Sequence, residues 1–211
     1  MIHHEPSFEP DLLFLCAILR WFDRNLLQAL SGYDERRIAA LLSSELTIAV
    51  DDQPGAYRLH PDSQKQALAQ LRSQRGHDES TLHRRVLVYF LRRTQESPGE
   101  QQPVEEACIY HLGELFLLIA ARQDWRILSE LVASARAIVP PYSRLQHWLA
   151  FYEGFVHIRT HAYEQGEALL TGLLQQPKLD SSLQVRVLNA LGNSCWAKSD
   201  YDGAIMLYQQ V

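Results

Sequence analysis

A chain of 211 residues with 46% hydrophobic content is long enough to fill one large core or two small ones. Its formal net charge of −5 and pI near 6.0 leave no electrostatic footprint for nucleic acid or an anionic membrane. The three cysteines, Cys16, Cys108 and Cys195, are odd in number, far apart and without a Cys-x-x-Cys pair. They read as small hydrophobes of a reducing, cytoplasmic environment and not as a disulfide framework.

The run Leu12 to Leu19 has the apolarity of a signal-peptide core, but no basic region precedes it, and Glu5, Glu9 and Asp11 flank it. It is too short to span a bilayer and reads as a buried helix from Asp11 to Trp21, opened by Pro10. A second helix is expected from Phe22 to Leu30, ended by Ser31-Gly32. Asp34 is placed to cap a third, Glu35 to Leu46, with Ile38, Leu41, Leu42 and Leu46 on one face. Thr47-Ile48-Ala49-Val50 and Ala56-Tyr57-Arg58-Leu59 read as two strands joined through Pro54-Gly55. Pro61 then opens a helix reaching about Gln74.

Three helices followed by a hairpin is the plan of a winged helix. The stretch Phe22-Asp23-Arg24-Asn25-Leu26-Leu27-Gln28-Ala29-Leu30, with Tyr57-Arg58-Leu59-His60-Pro61 after the hairpin, resembles the winged-helix segment of bacterial STAND signalling ATPases. In that family the segment follows a nucleotide-binding module and often precedes arrays of tetratricopeptide (TPR)-like repeats. The ATPase would require a Gly-rich loop ending in Gly-Lys, and no glycine here is followed by lysine. The resemblance therefore implies the winged-helix and repeat region without the motor, which would lie upstream in a longer parent unless the chain is a diverged stand-alone relative.

Gly76 to Ser80 is a polar break, so residues 1–75 are expected to form the winged-helix domain and 76–211 the repeats. Thr81 to Gln95 reads as an amphipathic helix and Glu96 to Pro103 as an exposed loop. Val104 to Ala121 and the helix ending at Val139 read as a degenerate pair with an elongated first member. Ser143 to Arg159 and Glu164 to Leu174 form the next pair, followed by a loop from Gln175 to Asp180. The last stretch, Val185 to Val211, resembles one TPR repeat. Leu188, Leu191 and Cys195 line its first helix, Gly192 marks a close crossing, Ser199-Asp200-Tyr201 turns, and Ala204, Leu207, Tyr208 and Val211 line its second. Gly154 to Gly192 and Tyr163 to Tyr201 share one offset of 38 residues, which marks a repeat. The second helix of the last unit reads as unfinished. Ala204, Leu207 and Tyr208 are thus expected to be partly uncovered, inviting self-association or fraying.

Catalytic chemistry finds no foothold. His157 and His161 lie four apart, but no His-Glu-x-x-His pattern or third ligand accompanies them, and the nucleophile elbow Gly-x-Ser-x-Gly is absent. His60 reads as a structural histidine bracing the wing, and Asp51-Asp52 and Glu105-Glu106 as solvated faces. Lysine and arginine number eight in residues 1–75 against ten acids, and the wing carries Asp51-Asp52, so phosphate contacts are opposed.

The expected fold is therefore mostly α: a small winged-helix domain of three to four helices and one β-hairpin, then a TPR-like α-α superhelical array. The expected function is non-catalytic regulation without cofactor or metal, with a protein, peptide or small effector held by the repeats. A DNA-binding regulator with a TPR sensor is the alternative. The groove-facing candidates are Trp148, Phe151, Phe155, Ile158 and Arg159 on one first helix, and Arg186, Asn189, Asn193 and Trp196 on the next. The aromatics offer apolar anchors, and arginine with two asparagines could hold a carboxylate or peptide backbone.

Overall fold

The computed structural model describes residues 8–51, 53–74, 78–96, 101–141 and 143–211. The chain is mostly helical, with eleven helices and one two-stranded sheet among those residues. It divides into two compact units, Met1–Tyr89 and Phe90–Val211. No helix among the described residues is long and apolar enough to cross a membrane.

In the first unit, α1 (Pro10–Ile18) buries Leu12, Phe14, Leu15, Cys16, Ala17 and Ile18, as a helix apolar on nearly all sides must. Burial raises the Cys16 thiol far above its usual range, so it stays a protonated hydrophobe. The helix stops before Trp21 because Leu19 turns to an extended conformation and the chain runs on to meet the hairpin. Phe22, expected inside the second helix, instead exchanges two 2.7 Å backbone hydrogen bonds with Tyr57 and is fully buried. That non-local pairing outweighs a local helix start, and α2 (Arg24–Ser31) begins after Asp23, whose carboxylate accepts from the Leu26 N–H. Gly32 ends it at φ 72°.

Asp34 caps α3 (Glu35–Leu42) through the Arg37 N–H. This helix ends four residues before Leu46, since the Ser43 and Ser44 hydroxyls donate back to the Ala39 and Leu41 carbonyls and draw the chain into a turn. β1 (Thr47–Ala49) pairs antiparallel with β2 (Tyr57–Leu59), with Ile48 opposite Arg58. The wing acid Asp51 is exposed, while Asp52 lies outside the described residues. His60 closes the hairpin through its backbone N–H to the Leu46 carbonyl at 2.7 Å. Its side chain is half exposed, so the brace is main chain and not imidazole. α4 (Pro61–Gln74) starts at its proline, and Gln64 donates to the Ala17 carbonyl, satisfying a carbonyl at the end of α1. The expected break Gly76 to Ser80 falls partly outside the described residues. α5 (Asp78–Glu96) opens inside it, and Arg72 grips the buried carboxylate of Glu79 with two nitrogens at 2.9–3.2 Å.

The second unit holds α6 (Gln101–Ala121), α7 (Trp125–Ile138), α8 (Arg144–Arg159), α9 (Tyr163–Leu174), α10 (Ser181–Ala197) and α11 (Tyr201–Tyr208). Helix α6 starts before Val104 because Pro103 fits a first turn, where no backbone donor is needed; residues 97–100 of the expected loop lie outside the described ones. Consecutive helices pack on one another, and α6 on α8 and α8 on α10 as well.

The three hairpins keep one register. Gln123, His161 and Ser199, each 38 residues from the next, all adopt left-handed φ of 57°, 65° and 64°. Each is the second residue after a helix end. Its N–H returns to a carbonyl three back (Ala120, Ile158, Trp196), and the next N–H reaches five back (Ile119, His157, Cys195). That pair of bonds is a Schellman closure, which satisfies carbonyls the helix leaves open. Trp125, Tyr163 and Tyr201 then open the second helices, again 38 apart. At the crossings, Gly154 faces Gly166 and Leu170, and Gly192 lies under the Tyr208 ring. Phe116 and Leu128 hold the matching positions in the first hairpin, whose bulkier pair keeps α6 and α7 less closely packed.

Candidate ligand pocket on the repeat unit

The expected groove residues separate into three groups. Trp148 and Phe151 are buried, at 7% and 5% exposure, in an aromatic cluster with Tyr152, Phe155 and Phe116. Their ring surfaces are used in packing α8, and the Tyr152 hydroxyl beside Gly113 is pushed to a higher pKa by burial. Arg186, exposed on α10, lays its guanidinium 5.7 Å from the Trp148 ring centre. Asn189 is half-buried on the same helix.

Phe155, Arg159 and Asn193 form the second group, brought to one pocket of about 350 Å³. Its remaining walls include Trp125, Ile158, Tyr163 and Gln123, so it sits where the α6–α7 and α8–α9 turns meet α10. Arg159, at the last residue of α8, holds its guanidinium 5.3 Å from the centre of the Trp125 ring. Phe155 is half-buried and touches both Trp125, at 6.4 Å between centroids, and Phe116, at 5.0 Å. The Tyr208 hydroxyl donates to the Asn193 side-chain oxygen at 2.8 Å, which leaves the Asn193 amide hydrogens to offer. Gly192 makes that bond possible: a Cβ there would stand 2.4 Å from a Tyr208 ring carbon. His161 Nδ1 lies 2.9 Å from the Tyr163 hydroxyl at the pocket's edge. Because His161 occupies the left-handed turn position, it and His157 do not share a helix face.

Trp196 stands alone in the third group, 60% exposed, with its ring edge-on to Tyr201 at 4.9 Å. Leu117 on α6 is also 60% exposed and occupies the same repeat position as Phe155 and Asn193. Sequence reasoning passed over Leu117, Gln123 and Trp125. One further step of 38 residues back from Phe155, His161 and Tyr163 reaches each of them.

Two contacts tie α9 to the end of α10. The Ser194 hydroxyl, fully buried, donates to Glu167 on α9 at 2.7 Å, and Lys198 reaches the same carboxylate at 2.5 Å. Burial works to raise the Glu167 pKa, but those hydrogen bonds and the Lys198 charge hold it below the ordinary value. At the far end, the stripe expected to be partly uncovered keeps Leu207 half-buried and Tyr208 exposed, while Ala204 departs from that expectation and is fully covered, because a methyl group fits directly against α10. Ile205, Met206, Tyr208 and Val211 are exposed by 38–65%.

Comparison with known families, curated proteins and solved structures finds no match to this chain.

Proposed function

We propose that this chain is a non-catalytic regulatory module whose helical repeats, of the TPR-like kind, bind a protein or peptide partner, and whose N-terminal unit, of the winged-helix kind, relays that binding as in STAND proteins. The observation that carries it is the shared register of the three hairpins. It lines up Leu117, Phe155 and Asn193, and likewise Ala120, Ile158 and Trp196, on corresponding positions of the first helices. Large apolar side chains left 60% exposed at both ends of that series, Leu117 and Trp196, are the anchors interfaces use. The order of α1, α2, α3, β1, β2 and α4 supports the reading of the first unit.

DNA binding is disfavoured by local charge pairing. Arg24 is held by Glu35 at 2.8 Å, and Arg37 by Glu9 at 2.6 Å with Asp34 close by, so two of the three arginines on and beside α3 already face carboxylates and Arg36 alone stays exposed without one among the described residues. The exposed apolar residues of α11 offer a surface for self-association, which sedimentation across a concentration series measures directly.

Panning the whole chain against a random peptide library tests the main reading. A peptide consensus should emerge whose affinity drops at least about tenfold in Trp196→Ala, the loss of one interface anchor. Failure to enrich any consensus, together with salt-sensitive binding of duplex DNA, would replace this reading by the DNA-binding one.

A further inference from the structure

We infer that the pocket beside Arg159 is a binding site for a small organic acid, a carboxylate carried on a flat apolar body. The inference rests on the reading that this face of the repeats binds ligands, and it assigns the chemistry of one place on that face. Trp125, Phe155 and Tyr163 supply flat apolar walls, with Ile158 between them. No aspartate or glutamate lines the pocket, and Arg159 is its one lysine or arginine.

His161 and the Tyr163 hydroxyl bond each other, and the other three polar side chains there are donors in want of an acceptor. Arg159 touches the Trp125 ring and is paired with no carboxylate among the described residues. Asn193, its oxygen taken by Tyr208, presents an amide NH2, and the exposed Gln123 side chain adds another. A planar guanidinium steadied on an aromatic face is preorganised for a two-pronged grip on a carboxylate, and the aromatic walls favour a ring behind it. At about 350 Å³ the space is at the small end of ligand pockets, which suits a single-ring acid and not a nucleotide.

The repeat itself supplies a control for what the fold demands. Arg159 occupies the position held by Ala121 one repeat earlier and Ala197 one repeat later, and all three positions are exposed. Two of three copies close the same left-handed turn with alanine, so neither helix nor turn requires an arginine. The side chain that departs from the series is the one that gives the pocket its charge.

Three probes of one size and different charge test the assignment on the full chain by calorimetry and ligand-observed NMR: phenylacetate, phenethyl alcohol and phenethylammonium. Phenylacetate is expected to bind at least about tenfold tighter than the alcohol, and the ammonium most weakly. Arg159→Ala, which installs the residue the sister repeats carry, should lower phenylacetate binding to the level of the alcohol while leaving the thermal melt unchanged. Equal binding of the three probes, undiminished binding to the variant, or no binding of phenylacetate at low millimolar concentration would each overturn the assignment. A peptide consensus that depends on Trp196, found alongside a silent phenylacetate titration, would remove the acid site and leave the partner-binding reading standing.

Discussion

A Cβ placed on Gly166 would stand 2.7 Å from the backbone carbonyl oxygen of Gly154. The α8–α9 crossing is therefore a main-chain contact, and main chain cannot swing aside as a flexible side chain can. Gly166→Ala should force the helices apart and cost about 2–3 kcal/mol, the scale of overpacking a close-packed interior. Gly172, in the same helix, has nothing within 4 Å of its virtual Cβ. Gly172→Ala should instead stabilise by about 0.5–1 kcal/mol through helix propensity and reduced freedom of the unfolded chain. Urea midpoints of the two variants should thus move in opposite directions. A Gly166→Ala protein as stable as the parent would mean that the crossing is looser than this packing.

The left-handed residues Gln123, His161 and Ser199 predict a second set of changes. A side chain costs roughly 1–2 kcal/mol in that conformation, whereas glycine gives back about 0.5–1 kcal/mol of it as unfolded-state entropy. Ser199→Gly should therefore stabilise the α10–α11 hairpin modestly, by about 0.5–1 kcal/mol. Slower hydrogen exchange of the α11 amides, with α1–α4 unaffected, is the expected readout. His161→Gly should gain less, because it also removes the contact between His161 and the Tyr163 hydroxyl.

These positions mark how much was legible in the sequence. Local rules found the Asp34 cap, the Pro61 start, the hairpin and the polar turn before Tyr201, because each is decided within a few residues. The shared offset of Gly154 and Gly192 was legible because a repeated crossing needs the same small residue each time. Phe22 was misplaced because its backbone is claimed by Tyr57, 35 positions along the chain, and periodicity carries no trace of that. Within α8, Trp148, Phe151 and Phe155 look alike as aromatic positions on a helix. The surrounding aromatic packing buries the first two and leaves the third beside Trp125 at the pocket. The role of Gln123 and Trp125 was hidden because Phe116 and Leu128 replace the small residues that would have flagged the first hairpin.

The Glu167 clasp between α9 and α10 gives a third prediction. Glu167→Ala would strand the fully buried Ser194 hydroxyl, whose partner at 2.7 Å is that carboxylate. An unsatisfied buried hydroxyl costs about 1–3 kcal/mol, more than an exposed ion pair such as that with Lys198 supplies. Glu167→Ala combined with Ser194→Ala should therefore be less destabilising than the sum of the two single changes. A double-mutant cycle measures that coupling, and strict additivity would show that the hydroxyl has another partner.

His83 sets the response of the first unit to acid. It is 2% exposed, and burial is the main cause that lowers its pKa from 6.5 to about 4; Glu79 opposes the shift and Arg72 assists it. The folded chain thus keeps the imidazole neutral until pH falls near 4, whereas the unfolded chain takes up a proton near 6.5. Between those values the unfolded state binds more protons, so stability should fall as pH drops through this window and level off below it. The total loss is about 3 kcal/mol for the whole shift. His83→Gln, which keeps hydrogen-bonding capacity without the titration, should flatten that part of the profile whatever its effect on stability at neutral pH. Glu167 weakens the fold separately and at lower pH, since its depressed pKa supplies stability that is lost only as the carboxylate itself protonates. Chemical denaturation at half-unit steps from pH 7 to 3 separates the two, and an unchanged slope between pH 6.5 and 4 in His83→Gln would assign the acid sensitivity to other groups.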